Sequence, residues 1–160
     1  MIEKLLNNYM EVFKNPLVLI IMFCFLSYST YTDLKNKKIY TVSNGLFLLC
    51  RIILIFIPVY NLKFNLNSLL GGIGVWLLMI IPAVIVMAKM GGDIKLGIVL
   101  GLYLGLDLSL IFLILTVIIS LIHLGIKIYI KKDMTTKTYV PYAPYFLISF
   151  IVMMLFSFLI

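Results

Sequence analysis

The stretch that decides the fold runs from Val86 to Gly105, VMAKMGGDIKLGIVLGLYLG. A single acid, Asp93, stands between Lys89 and Lys95 at the mouth of a segment made of hydrocarbon and glycine. Gly97, Gly101 and Gly105 recur every fourth residue, which stacks them on one helix face and lets a second backbone approach closely. Gly71, Gly72 and Gly74 sit at the start of the preceding apolar run and suit the same packing.

The rest of the chain is equally apolar. Of 160 residues, 64% are hydrophobic, where a soluble domain has about half. Several runs approach or exceed the roughly 18 residues that read as a membrane-spanning helix. Six segments emerge, at about 16–32, 39–59, 69–88, 93–106, 108–129 and 140–160. The fourth is short: Leu96–Leu106 reaches about 16 Å at the helical rise, against roughly 30 Å of hydrocarbon. The expectation is an all-α integral membrane protein, one domain over 1–160, with about six transmembrane helices. Its opening, MIEKLLNNYMEVFKN, carries two acids and no small-residue cleavage site, so it reads as a short interfacial helix rather than a signal peptide.

The net charge of +7 does not point to nucleic acid, because the lysines lie in short loops rather than on one helix face. Lys35, Lys37, Lys38, Lys89, Lys95, Lys127, Lys131, Lys132 and Lys137 account for nine of the 13 basic residues and fall in alternate loops. Lysine-rich loops face the cytoplasm, which places both termini outside. Cys24 and Cys50 stand alone inside apolar runs, and His123 has only Ser120 and Lys127 one turn away. No metal, cofactor or disulfide is expected. Arg51 lies about 18 Å into the second segment, where it either snorkels or pairs within the bundle. Tyr139, Tyr142 and Tyr145 read as an interfacial aromatic belt, with Tyr142 a candidate to line a groove.

Only six acids exist. Glu3 and Glu11 belong to the N-terminal segment, Asp133 to a lysine-rich loop, and Asp107 to a turn where it suits a helix cap. Asp33, in YSTYTDLKNKKIY, and Asp93 both fall at the cytoplasmic membrane boundary, and each opens an Asp-x-Lys. An ionisable group beside hydrocarbon is costly and is a functional candidate when it has a partner. Two aspartates in one site cannot both ionise cheaply, so one holds a proton while the other acts as a base on water. Gly91 and Gly92 would let the backbone turn tightly beside Asp93 and a substrate strand come close. The competing reading is a non-enzymatic multi-span component, such as a small permease or an assembly subunit, with structural or ion-coupling aspartates. Charges at one interface and the absence of an internal repeat weigh against a transporter.

TDLKNKKI around Asp33, the GGDIKLG turn, and the late VPYAPYF together resemble the type IV prepilin peptidase family of GxGD-type membrane aspartic proteases. The resemblance spans the first to the last segment. It implies that Asp33 and Asp93 are the two catalytic aspartates. It aligns Gly92 with the glycine before the second aspartate and Lys95 with the basic residue after it. Pro141 and Pro144 align with a proline-rich turn opening the last span. Apart from the resemblance, Lys35 and Lys95 are candidates either to steer and orient the aspartates or to mark topology, beside Gly91 and Tyr142 as supporting residues. The first glycine of GxGD is replaced by Met90, and the family's Ile-Pro-Asn reads Ile39-Tyr40-Thr41. The implied substrates are pilin-like precursors with a basic leader and a hydrophobic helix, cleaved at the cytoplasmic face of the cell membrane. The implied form is compact, without the methyltransferase domain of larger members.

Overall fold

Asn15 starts the first helix: its side-chain oxygen accepts the N–H groups of Leu17 at 3.2 Å and Val18 at 3.4 Å. Pro16 then occupies the first turn, where a missing N–H costs nothing. This helix, α1 (Pro16–Asn36), stops at Lys37, whose left-handed φ of 53° sends its N–H back to the Asp33 carbonyl at 3.0 Å. The computed structural model describes residues 12–56, 66–85, 91–131 and 141–159. After α1 come α2 (Thr41–Phe56), α3 (Leu66–Ile85), α4 (Gly91–Lys131) and α5 (Ala143–Leu159), and all regular structure among the described residues is helical. The first span was expected to end at about Thr32. It continues to Asn36, because Thr32 and Asp33 face the interior. Of the expected N-terminal interfacial helix only residues 12–15 are described; Val12 and Phe13 are buried, with Phe13 stacked on Phe150 at 6.0 Å.

Helix α4 holds 41 residues, about 60 Å if straight and twice the thickness of a bilayer core. It is not straight. Gly105 has φ 76° and ψ 173°, a conformation open essentially to glycine alone. The next N–H, of Leu106, donates to the Asn67 side chain of α3 at 3.3 Å.

The second arm of α4 returns toward the start of the first. The His123 Nδ1 lies 2.6 Å from the Tyr145 hydroxyl, Tyr145 packs edge-on to Tyr142 at 6.0 Å, and Tyr142 lies within electrostatic reach of Asp93. A continuous helix would separate residues 93 and 123 by about 45 Å. The chain therefore folds back at Gly105. The fourth and fifth segments expected from the sequence are thus two arms of one helical run. Asp107 lies in the first turn of the second arm, and Asn67 supplies an acceptor for the Leu106 N–H beside it.

Helix α3 packs antiparallel along the first arm through the glycine stripe. Met79 and Val75 lie on Gly97, Gly71 on Gly101, and Asn67 on Gly105. A Cβ on Gly101 would stand 2.5 Å from the Gly71 carbonyl oxygen, so the two backbones touch only because both residues lack side chains. Elsewhere Phe25 of α1, Phe47 of α2 and Tyr103 of α4 form a continuous stack, with centroids 4.8 and 4.6 Å apart. The Tyr103 hydroxyl donates to the Phe47 carbonyl at 3.0 Å. Arg51 does not snorkel: it is 3% exposed, lies over the Tyr103 ring at 5.3 Å and donates to Ser68 at 3.4 Å. Helix α5 packs on α1 and α4, with Phe146 stacked on Phe112 and the Ser149 and Thr116 hydroxyls 3.0 Å apart.

Pro16–Asn36 and Gly91–Lys127 are long and apolar enough to cross a membrane. Large apolar side chains cover the outside of every helix, Ile20, Phe56, Val84, Leu121 and Leu155 among them. A surface of that kind suits lipid and not water.

Candidate active site

The C-terminal end of α1 and the N-terminal ends of α2, α4 and α5 meet in one place. Asp33, in the last turn of α1, is completely buried, and its Oδ2 accepts the Ala143 N–H at 3.1 Å. Ala143 is the first residue of α5, so the carboxylate sits where a helix offers unpaired N–H groups and partial positive charge. Pro144 follows and has no N–H, so Tyr145 and Phe146 both donate to the Tyr142 carbonyl, at 3.0 and 3.3 Å. Pro141 and Tyr142, both half-buried, lead into this turn.

Asp93 enters from the first turn of α4. Its Oδ1 is buried with no hydrogen-bond partner among the described residues. The Asp33 and Asp93 carboxylates are close enough to interact electrostatically, so the structure brings together the two acids singled out in the sequence. Tyr142 lies within electrostatic reach of Asp93. Burial pushes its phenol above the ordinary tyrosine value, and the Asp93 charge adds to the shift.

Three contacts hold the first turn of α4 in position. The Ile39 backbone lies on Gly92, the Asn44 side-chain nitrogen donates to the Gly92 carbonyl at 3.3 Å, and the Lys95 ammonium donates to Thr41 Oγ1 at 3.3 Å. The tight turn expected at Gly91 and Gly92 is absent, since both residues are helical and neither has a positive φ. The two glycines also differ. A Cβ on Gly91 would meet nothing within 4 Å, whereas one on Gly92 would lie 3.0 Å from both the Ile39 carbonyl oxygen and its Cβ. Gly92 is small because Ile39 presses on it.

Lys35 is exposed and turned to its own helix, with its ammonium donating to the Tyr31 hydroxyl at 2.9 Å. Tyr145 departs from the expected aromatic belt: it is 4% exposed and bonded to His123. Met90, Tyr139 and Asp133 lie outside the described residues. Among the described residues no group of three His, Cys, Asp or Glu side chains is placed to hold a metal ion. Sequence reasoning missed Asn44, Ile39 and the Ala143 N–H. An asparagine in the first turn of a helix reads as a cap, and a backbone N–H carries no sequence signal. Only the rarity of polar residues in the second segment could have marked Asn44.

A family model described as the type IV leader peptidase family matches residues 20–125. The chain belongs to the type IV leader peptidase family. The matched span takes in both Asp33 and Asp93 and stops before Pro141, Tyr142 and Pro144. No curated protein and no solved structure matches the chain.

Proposed function

We propose that this protein is a membrane aspartic endopeptidase that removes the basic leader from pilin-like precursors, with Asp33 and Asp93 as its catalytic pair. The observation that supports this reading is the meeting of two carboxylates from α1 and α4, electrostatically coupled, with one Asp93 oxygen buried and unpartnered. Two such groups share a proton, and their titration belongs to the pair. The ionised carboxylate takes a proton from water as the water oxygen bonds to the scissile carbonyl carbon. The protonated carboxyl gives its proton to the carbonyl oxygen. As the intermediate collapses, the C–N bond breaks and the leaving amine takes a proton from the pair. In this reading Gly92, Lys95, Pro141, Pro144 and Tyr142 support the acids and position the substrate, with Gly91 and Lys35 in the same role.

The distribution of lysines supports a six-span arrangement with the site at the cytoplasmic face and both termini outside. The alternative, a non-enzymatic membrane component, draws on the Asp33–Ala143 bond, which a purely structural aspartate would also make. Co-expression with a pilin-like precursor separates the two. The peptidase reading expects a precursor shortened by its leader, and intact precursor beside well-inserted protein would favour the alternative.

A further inference from the structure

Asn44 lies in the first turn of α2 and is 4% exposed. Its side-chain nitrogen donates to the carbonyl of Gly92, the residue before Asp93. A carbonyl only accepts, so this bond fixes which end of the Asn44 amide is nitrogen and which is oxygen. Oδ1 is therefore an acceptor, and it is buried with no hydrogen-bond partner among the described residues. The amide is about 2 Å across, so this acceptor stands beside the Gly92–Asp93 peptide. A buried amide oxygen without a donor is costly, and such groups normally find one.

The sequence supplies no second reason for an asparagine here. The Asn44 side chain does not cap its own helix, because a cap needs Oδ1 to accept a backbone N–H and Oδ1 has no partner among the described residues. Its neighbours Thr41 and Ser43 already have partners: Thr41 accepts from Lys95, and Ser43 donates to the Tyr40 carbonyl at 2.7 Å. Of the polar groups at the start of α2, the Asn44 oxygen alone is both buried and unpartnered.

We propose that Asn44 is a substrate-binding residue whose Oδ1 accepts a backbone N–H of the peptide lying across Asp33 and Asp93, while its nitrogen holds the Gly92 carbonyl. This deepens the peptidase reading and rests on it. A peptide leaving water for a buried site brings N–H groups that need acceptors, and Asn44 offers one at a fixed distance from the second aspartate. The side chain thus sets the register of the peptide relative to Asp93 through one rigid amide.

The test uses the full chain in detergent and a synthetic precursor with a basic leader and a hydrophobic segment. Asn44→Leu keeps the volume and removes both bonds; it should raise KM about 10-fold, as loss of one buried hydrogen bond does. Asn44→Asp keeps an acceptor oxygen and should hold KM within about two-fold while lowering kcat, because the Gly92 carbonyl loses its donor. The wild-type enzyme gives an independent measurement that needs no variant. N-methylation of each peptide N–H around the cut in turn should find one position that raises KM about 10-fold. That penalty should vanish in Asn44→Leu. The proposal is overturned if Asn44→Leu leaves KM unchanged, if Asn44→Asp raises KM as much as Asn44→Leu, or if no N-methylated position is penalised. Asp33→Asn and Asp93→Asn run alongside. If they still cleave, the peptidase pair itself is wrong; if they are inactive and Asn44 has no effect on KM, only the Asn44 inference fails.

Discussion

Asp33 accepts the main-chain N–H of Ala143 at 3.1 Å, joining the last turn of α1 to the first turn of α5 across 110 residues. The same carboxylate lies within electrostatic reach of Asp93 on α4. One acid therefore serves as a helix-end anchor and as half of the acidic pair. The second role is not reduced to the first, because α5 could be capped by any short polar side chain, whereas half-buried Asp93 holds a buried Oδ1 with no partner among the described residues and lies within electrostatic reach of this particular acid.

The two glycines before Asp93 should separate cleanly. Gly91→Ala places a methyl in open space and should leave leader cleavage and thermal stability near wild type. Gly92→Ala drives a methyl against the Ile39 backbone and should cost about 1–3 kcal/mol, with a loss of activity, as the first turn of α4 is pushed off Ile39. Thermal unfolding in detergent and a cleavage assay on both variants check this. Equal behaviour of the two would contradict the packing described.

Gly105 carries the reversal of α4. Gly105→Ala forces an L residue to φ 76° and ψ 173° and sets its methyl 2.8 Å from the Asn67 amide nitrogen. It should cost about 1–3 kcal/mol from backbone strain alone. Asn67→Leu removes the acceptor for the Leu106 N–H and should cost about 1–2 kcal/mol. Both are read as a fall in unfolding temperature.

The helical character of this fold was legible in the sequence because the length of an apolar run is a local property. The spacing of Gly97, Gly101 and Gly105 announced a close helix contact, and Gly71 is its other half. The pairing of Asp33 with Asp93 came from counting six acids, an unusually short search. The reversal at Gly105 was placed near Asp107 instead, because a cap made by Asn67, 39 residues away, leaves no mark beside the residues it serves. Gly92 looked like a turn glycine, but the reason for its size is the Ile39 backbone, which is remote in sequence. Asn44 was overlooked for the same reason: its partner lies on another helix.

Tyr142 sets an alkaline limit. Its phenol is raised first by burial and then by the Asp93 charge, so the folded state holds the phenolic proton more tightly than the unfolded chain does. This contribution to stability is complete below the ordinary tyrosine value of about 10 and is lost as pH rises through the higher folded value. Tyr142→Phe, which cannot ionise, should lose less stability than wild type above about pH 10. Unfolding temperature against pH for the two proteins checks the sign, and a steeper alkaline loss in the variant would reverse it.

The central claim is that Asp33 and Asp93 act together on a peptide bond. Its most direct test is leader removal from a co-expressed pilin-like precursor by Asp33→Asn and Asp93→Asn, with each variant's membrane insertion measured in the same cells. Both variants should insert at wild-type levels, and each should leave the precursor uncut. Full cleavage by either inserted variant would contradict the claim.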